Sequence, residues 1–258
     1  MRIFFWNTHN NEINDIISCA VKTMQIDVLV LIEYKGDSQE LCTLTGMKKY
    51  ISVGCDSVLT FGYRDDVDIG EQDDRFSFQI IGGKFILGGI HLPSRMHEGH
   101  QQRRNIEISK IINAVRTHEA NLQTKNTIIV GDFNEDPYEE GCLGASNFFG
   151  LPYVSSKAMR KIEGVEFEKF YNPMWNLLGD FSTPYGTYYY SESSPYGTYW
   201  HIFDQVIIRP CLRTAFSEES LKIITTIGNT KLLGTHGKPN KGISDHLPVI
   251  FEIKEELI

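Results

Sequence analysis

Six short runs of apolar, largely β-branched residues constrain this chain most, because each stops at, or starts from, a side chain able to do chemistry. The runs cover residues 3–6, 28–32, 85–90, 127–130, 205–208 and 249–253. Short apolar runs bounded by polar residues read as buried strands. Two stretches of helical periodicity lie among them. Residues 11–23 place Ile13, Ile16, Ile17 and Ala20 on one face, and residues 104–118 do the same with Ile108, Ile111, Ile112 and Val115. Strands and helices therefore mix along the whole chain, and no Pro/Ser-rich linker or block of charge marks a boundary. The expectation is one α/β domain over residues 1–258, with a 41% hydrophobic content that suffices for a full core.

Composition narrows the function classes. Residues 1–11 carry one basic residue and an apolar run that ends at Asn7, which builds neither a signal-peptide core nor a membrane span, so a cytoplasmic protein is expected. Cys19, Cys42, Cys55, Cys142 and Cys211 are scattered and never spaced as CxxC, which reads as reduced, structural cysteine rather than a disulfide framework or zinc cage. A net charge of −8 argues against holding nucleic acid by bulk electrostatics. It does not exclude a nuclease, since a site that gathers carboxylates for a metal makes its own protein acidic, and a local basic rim can still receive a polyanion. Candidates for that rim are Arg95, Arg103 and Arg104, then Lys157, Arg160 and Lys161, then Lys231, Lys238 and Lys241; each group reads equally as solvated surface charge.

One short repeat stands out. The sequence Pro-Tyr-Gly-Thr-Tyr occurs at residues 184–188 and again at 195–199, on either side of a Ser-rich turn, which predicts a hairpin. Its Tyr188 and Tyr199, with the neighbouring His201, are candidate substrate contacts: exposed rings there stack on a base or pack on a sugar, while buried ones are core.

The polar residues at the run ends form a coherent set. Asn7 follows the first run, Glu33 the second, His91 the third, and Asp132 and Asn134 the fourth; Asp204 precedes the fifth, and Asp245 and His246 precede the last. Strand ends are where an α/β fold displays its functional groups. Carboxylates, carboxamides and imidazoles, without a nucleophilic Ser or Cys, suit a hard cation and an activated water, with Mg²⁺ expected and Mn²⁺ able to stand in.

Six segments carry a resemblance: Phe4-Phe5-Trp6-Asn7, Leu31-Ile32-Glu33, Gly89-Ile90-His91-Leu92-Pro93-Ser94, Val130-Gly131-Asp132-Phe133-Asn134, Phe203-Asp204-Gln205 and Ile243-Ser244-Asp245-His246-Leu247-Pro248-Val249. In this order they resemble the motifs of the endonuclease/exonuclease/phosphatase superfamily. That group includes pancreatic-type DNases, exonuclease III-type AP endonucleases, neutral sphingomyelinases, inositol polyphosphate 5-phosphatases and deadenylases. The resemblance implies a four-layer α/β/β/α sandwich, two mixed sheets face to face with helices outside. It implies Glu33 as principal metal ligand with Asn7 beside it and Asp245 completing the surroundings. It further implies Asp132 as the group that orients or deprotonates water, Asn134 as its holder, and His246 as donor to a non-bridging oxygen with Asp204 fixing its tautomer. His91 matches a residue that contacts phosphate or assists the leaving group. His9, His97, His100, His118 and His236 have no such context and read as structural.

Departures narrow the resemblance. Ile32 stands where relatives commonly carry Gln, and His91 where many AP endonucleases carry Tyr. The glutamate that partners such a histidine in DNase-like members is sought in the acidic stretch Asp65, Asp66, Asp68, Glu71, Asp73, Asp74, without an aligned equivalent. The leading expectation is a metal-dependent nuclease with nucleic acid as substrate. The alternative is a phosphatase or phosphodiesterase acting on a small molecule or lipid head group; no membrane-docking segment favours the lipid. A catalytically dead binding module is disfavoured by the complete polar set.

Overall fold

The structure, a computed structural model, describes residues 1–94, 100–154, 157–180, 183–191 and 198–258. Arg95, His97 and the start of the second Pro-Tyr-Gly-Thr-Tyr repeat lie outside those residues, and so does the side chain of His100.

Alternation decides the architecture. In chain order the strands of the two large sheets are β1 (Arg2–Asn7), β2 (Val28–Ile32), β3 (Lys48–Lys49), β4 (Val58–Gly62), β5 (Val67–Asp73), β6 (Phe76–Ile81), β7 (Phe85–His91), β8 (Thr127–Asp132), β9 (Gly150–Leu151), β10 (Phe170–Tyr171), β11 (Asp204–Ile208), β12 (Phe216–Ile223) and β13 (Val249–Ile253). One sheet has six strands in the order β12-β13-β1-β2-β4-β3, the other seven in the order β5-β6-β7-β8-β11-β10-β9. Both are mixed: β1 with β2 and β7 with β8 run parallel, while β1 with β13 and β8 with β11 run antiparallel.

Because successive side chains point to opposite faces, strands buried on both sides must be apolar at every position. Ile3, Phe5, Val28 and Val30 face inward and meet Leu87, Ile128, Val130, Val206 and Ile208 of the other sheet. The residues between them, Phe4, Trp6, Leu29 and Leu31, face outward against Ile17, Ala20 and Val21 of helix α1 (Asn14–Met24) and Leu41 of α2 (Ser38–Thr45). On the far side, Ile86, Ile90, Ile129 and Ile207 pack on Ile108, Ile111 and Val115 of α3 (His100–Leu122). These three apolar layers make the α/β/β/α sandwich that the motifs imply. Gly89 lets the sheets approach, since a Cβ there would stand 2.6 Å from Val58 Cγ1.

Helix α1 begins three residues later than periodicity alone suggests. Asn11 N–H closes a turn onto the Thr8 carbonyl, and Ile13 at φ −129°, ψ 32° is still non-helical, so the first helical residue is Asn14. The five cysteines are all free. Among the described residues no helix is long and apolar enough to cross a membrane.

Candidate active site

Register brings the polar strand ends to one rim. His91 is paired with Asp132 across β7 and β8, and Asp132 with Asp204 across β8 and β11, so three functional side chains stand side by side. In the facing sheet Asn7 is paired with Ile32, which sets Glu33 one residue beyond β2. The last strand delivers residues 244–246 to the same place: Ser244 Oγ donates to the Asn7 carbonyl at 2.7 Å, and Trp6 Nε1 donates to the His246 carbonyl at 3.0 Å.

Two of these residues hold left-handed backbone, Glu33 at φ 48° and Asn134 at φ 49°. Such conformations cost non-glycine residues about 1–3 kcal/mol and persist where the surroundings over-determine them. Here the Glu33 carbonyl accepts from Asn10 N–H at 2.7 Å and Thr8 Oγ1 at 2.8 Å, and Asn134 N–H donates to Asp132 Oδ1 at 2.8 Å while its Nδ2 donates to the Leu92 carbonyl at 2.9 Å. Gly131 belongs to the same turn: a Cβ there would collide with the Ile90 carbonyl.

Asn7 joins the two sheets at the site. Its Nδ2 lies 3.4 Å from Glu33 Oε1 and 3.3 Å from Asp132 Oδ2, while its Oδ1 accepts from His9 N–H at 3.0 Å. In this arrangement the Asn7 amide nitrogen faces both carboxylates. Glu33 receives a second amide from Asn10 Nδ2 at 3.1 Å.

His246 is the fixed imidazole. Its Nδ1 lies 2.8 Å from Asp204 Oδ2, and the Tyr188 ring sits against it at 4.6 Å between centroids. Burial opposes its charge, but the charge and hydrogen bond of Asp204, with Asp132 and Asp245 behind it, prevail and raise its pKa to about 10. Asp132 is raised to about 7, first by burial and then by Asp204, against the pull of His246. His91 is lowered to about 4 by burial, helped by the charges of Arg75 and His246. Its Nε2 lies 3.5 Å from Glu33 Oε1, and its buried Nδ1 has no hydrogen-bond partner among the described residues. The glutamate sought in residues 65–74 is not beside it; the backbone neighbour across β6 is Arg75, whose carbonyl accepts the His91 N–H at 2.9 Å.

Asp132, Asp204 and His246 each offer a donor atom, all within 4.8 Å of one another, a grouping compatible with a bound cation. Within that grouping His246 Nδ1 and Asp204 Oδ2 are already paired at 2.8 Å, and Glu33 adjoins Asp132 through the Asn7 amide. Asp245 Oδ1 is buried and accepts no hydrogen bond, although His9 Nδ1 lies 3.1 Å away.

The peripheral candidates separate. Tyr188 and Tyr189 pair antiparallel with His201 and Trp200, as the repeat predicts, and residues 192–197 lie outside the described residues. Tyr188, His246, Phe203 and His201 form a continuous series of ring contacts, and Tyr199 is 63% exposed beside Tyr189, over which Lys238 Nζ sits at 4.1 Å. Sequence reasoning missed the partner of His201: Asp136 Oδ2 lies 2.7 Å from its Nδ1, and Asp136 Oδ1 accepts from Ile202 N–H at 2.8 Å. It also missed His9. Neither lies at the end of an apolar run, so no pattern pointed to them.

Arg103 is exposed, but Arg104 is not a rim residue. Its side chain is 2% exposed, with Nη1 2.5 Å from Glu135 Oε1 and Nη2 donating to the Pro93 carbonyl at 3.0 Å. Arg104→Ala strands the buried Glu135 charge, and denaturant unfolding should show a loss of about 3–5 kcal/mol. A loss below about 1 kcal/mol would return Arg104 to the surface.

No protein-family model matches this sequence, and no curated protein does. Solved structures do. The chain is similar to a 3′ phosphatase, NExo, from Neisseria bound to a product DNA hairpin, with a TM-score of 0.60 and 14% identity over 98% of this chain and 99% of that one. It is similar to an AP endonuclease from Archaeoglobus fulgidus, with a TM-score of 0.59 and 12% identity over 98% and 99%. The human Nocturnin catalytic domain with bound sulfate gives a TM-score of 0.52 and 14% identity over 98% and 93%.

Proposed function

We propose that this chain, which has the fold of the endonuclease/exonuclease/phosphatase superfamily, is a divalent-metal-dependent phosphodiester hydrolase with nucleic acid as its substrate. One observation carries the reading. The carboxylates of Glu33 and Asp132, joined through Asn7 at 3.4 and 3.3 Å, stand at one rim with the buried Asp204–His246 pair at 2.8 Å. Acidic oxygens and a cationic donor in one place suit a reaction that must deprotonate water while negative charge grows on a phosphoryl group.

The residues present fit Mg²⁺ or Mn²⁺, because Glu33 and Asp245 supply hard oxygens beside the Asn7 amide, the Asp245 Oδ1 being buried with His9 Nδ1 3.1 Å away. When bound, the ion neutralises charge on the phosphoryl oxygens. Asp132 takes the proton of the attacking water, whose oxygen bonds to phosphorus as the ester oxygen departs. Asn134, tethered to Leu92, holds that water. His246 donates from Nε2 to a non-bridging oxygen, its Nδ1 being committed to Asp204. His91 lines the opposite side beside Glu33. The hairpin rings Tyr188 and Tyr199, with His201 and the exposed Arg103, offer stacking and charge to a polymer. The superfamily fold hosts many phosphate esters, so the second reading is a small-molecule phosphodiesterase or phosphatase, favoured by the net charge of −8.

Incubation of the purified protein with plasmid DNA, single-stranded DNA, RNA and a chromogenic phosphodiester, in Mg²⁺ and in EDTA, separates the two. Metal-dependent polymer cleavage is expected; turnover of the small ester alone would overturn the nuclease reading. In the same assay Glu33→Gln should raise the Mg²⁺ concentration for half-maximal rate by about 10- to 100-fold, and an unchanged metal response would remove Glu33 from the metal site.

A further inference from the structure

The turn between β5 and β6 sets a permanent positive charge beside the acidic site. Arg75 directly precedes β6, and its backbone pairing with His91 holds it at the site end of the seven-stranded sheet. The arginine is half-buried, and among the described residues its guanidinium has no hydrogen-bond or ion-pair partner. Its acidic neighbours do not supply one. Asp73 is engaged by Lys110 of α3 at 3.1 Å and by Asp74 N–H at 2.7 Å, and Asp74 faces solvent.

The two buried arginines among the described residues, by contrast, are paired. Arg104 is matched by Glu135, and Arg209 by Glu119 and Glu168. A guanidinium that is partly desolvated yet unpaired is poised for an anion, and its planar fork of donors matches two oxygens of a phosphate. The adjacent imidazole of His91 turns Nε2 toward Glu33 Oε1 at 3.5 Å, and its Nδ1 is buried, so among the described residues neither an acidic side chain nor the imidazole occupies the guanidinium. The carboxylates of Glu33, Asp132 and Asp245 mark where the reacting phosphate and its cation belong, and Arg75 lies to the His91 side of them.

We propose that Arg75, beside His91, forms a subsite for a second phosphate, the one adjoining the phosphate that is cleaved. The inference rests on the phosphodiesterase reading above and deepens it: the substrate carries at least two phosphates in series, as an oligonucleotide or a phosphorylated dinucleotide does, and a lone phosphodiester is a poor one.

The test compares kcat/KM in Mg²⁺ for the dinucleotide TpT, the same dinucleotide with a 5′ phosphate or a 3′ phosphate, and a chromogenic phosphodiester. Wild type should prefer one phosphorylated dinucleotide over TpT by about 10- to 100-fold, the range for a charged hydrogen bond. Arg75→Gln should bring that ratio close to one, mainly through KM, and Arg75→Lys should keep part of it, because a point charge replaces the fork. A ratio that survives Arg75→Gln, including one preserved because all rates fall together, overturns the subsite. So does a wild type that shows no preference. Wild type inert toward all four esters would overturn the phosphodiesterase reading itself, and the subsite with it.

Discussion

Asp132→Asn should lower kcat by about 10³, within the span of about 10²–10⁴ expected when a positioned general base is lost, and should do so without lowering the melting temperature. The two effects have separate causes. The amide cannot take a proton from water, so the step that generates the nucleophile fails. The fold, by contrast, gains. Glu33, Asp132, Asp204 and Asp245 crowd carboxylates around a single cationic imidazole, and burial already drives the Asp132 pKa up to about 7. Asparagine keeps the volume and the oxygen that accepts Asn134 N–H at 2.8 Å, and removing one charge from that crowd outweighs the long 3.3 Å contact from Asn7 Nδ2 that is lost. Sites held for function in this way are commonly less stable than their inert variants. The checks are steady-state kinetics in saturating Mg²⁺ and thermal unfolding in EDTA. A kcat within about tenfold of wild type would dismiss Asp132 as the base, and a fall in melting temperature would assign the loss to structural damage.

How much of this was legible before the structure depends on burial. All six apolar runs became central strands, β1, β2, β7, β8, β11 and β13, because strands covered on both faces leave an uninterrupted apolar signature. Strands β4 and β6 are buried at every position yet were missed, since Thr60 in one and Ser77 and Gln79 in the other interrupt the apolar run; β5 and β12 were missed because Val67–Asp73 and Phe216–Ile223 mix sheltered and solvated positions and carry several acids. The site residues were visible wherever a run ended in a polar group. Asp136, His9 and Arg75 were not, since only folding brings them beside His201, Asp245 and His91. Arg104 is the instructive miss. It lies on the same helical stripe as Ile108, Ile111 and Val115, all buried, so the periodicity that located the helix already placed this arginine against the core. Reading it as a basic rim residue gave its charge more weight than its position.

The Asp204–His246 pair makes the second large prediction, which concerns coupling rather than size alone. His246→Ala should lower kcat by about 10²–10³, the cost of one donor aimed at charge that appears only in the transition state. Nothing in the substrate's ground state requires that donor, so KM should change far less than kcat. Asp204→Asn should cost a similar factor although Asp204 touches no substrate. Its carboxylate holds Nδ1 at 2.8 Å and, with Asp132 and Asp245, raises His246 to about 10 against the effect of burial. The ring itself stays in place in that variant, because the chain around it is anchored by Trp6 Nε1 and Ser244 Oγ and the ring rests on Tyr188. What is lost is the charge that keeps the imidazole a strong donor. If the carboxylate acts only through the imidazole, the double variant should be no slower than His246→Ala alone, since a residue cannot be mispositioned once it is gone. Losses that multiply would mean that Asp204 contributes to the reaction directly, as a ligand or a base. That result would move the metal toward the grouping of Asp132, Asp204 and His246, whose donor atoms already lie within 4.8 Å of one another.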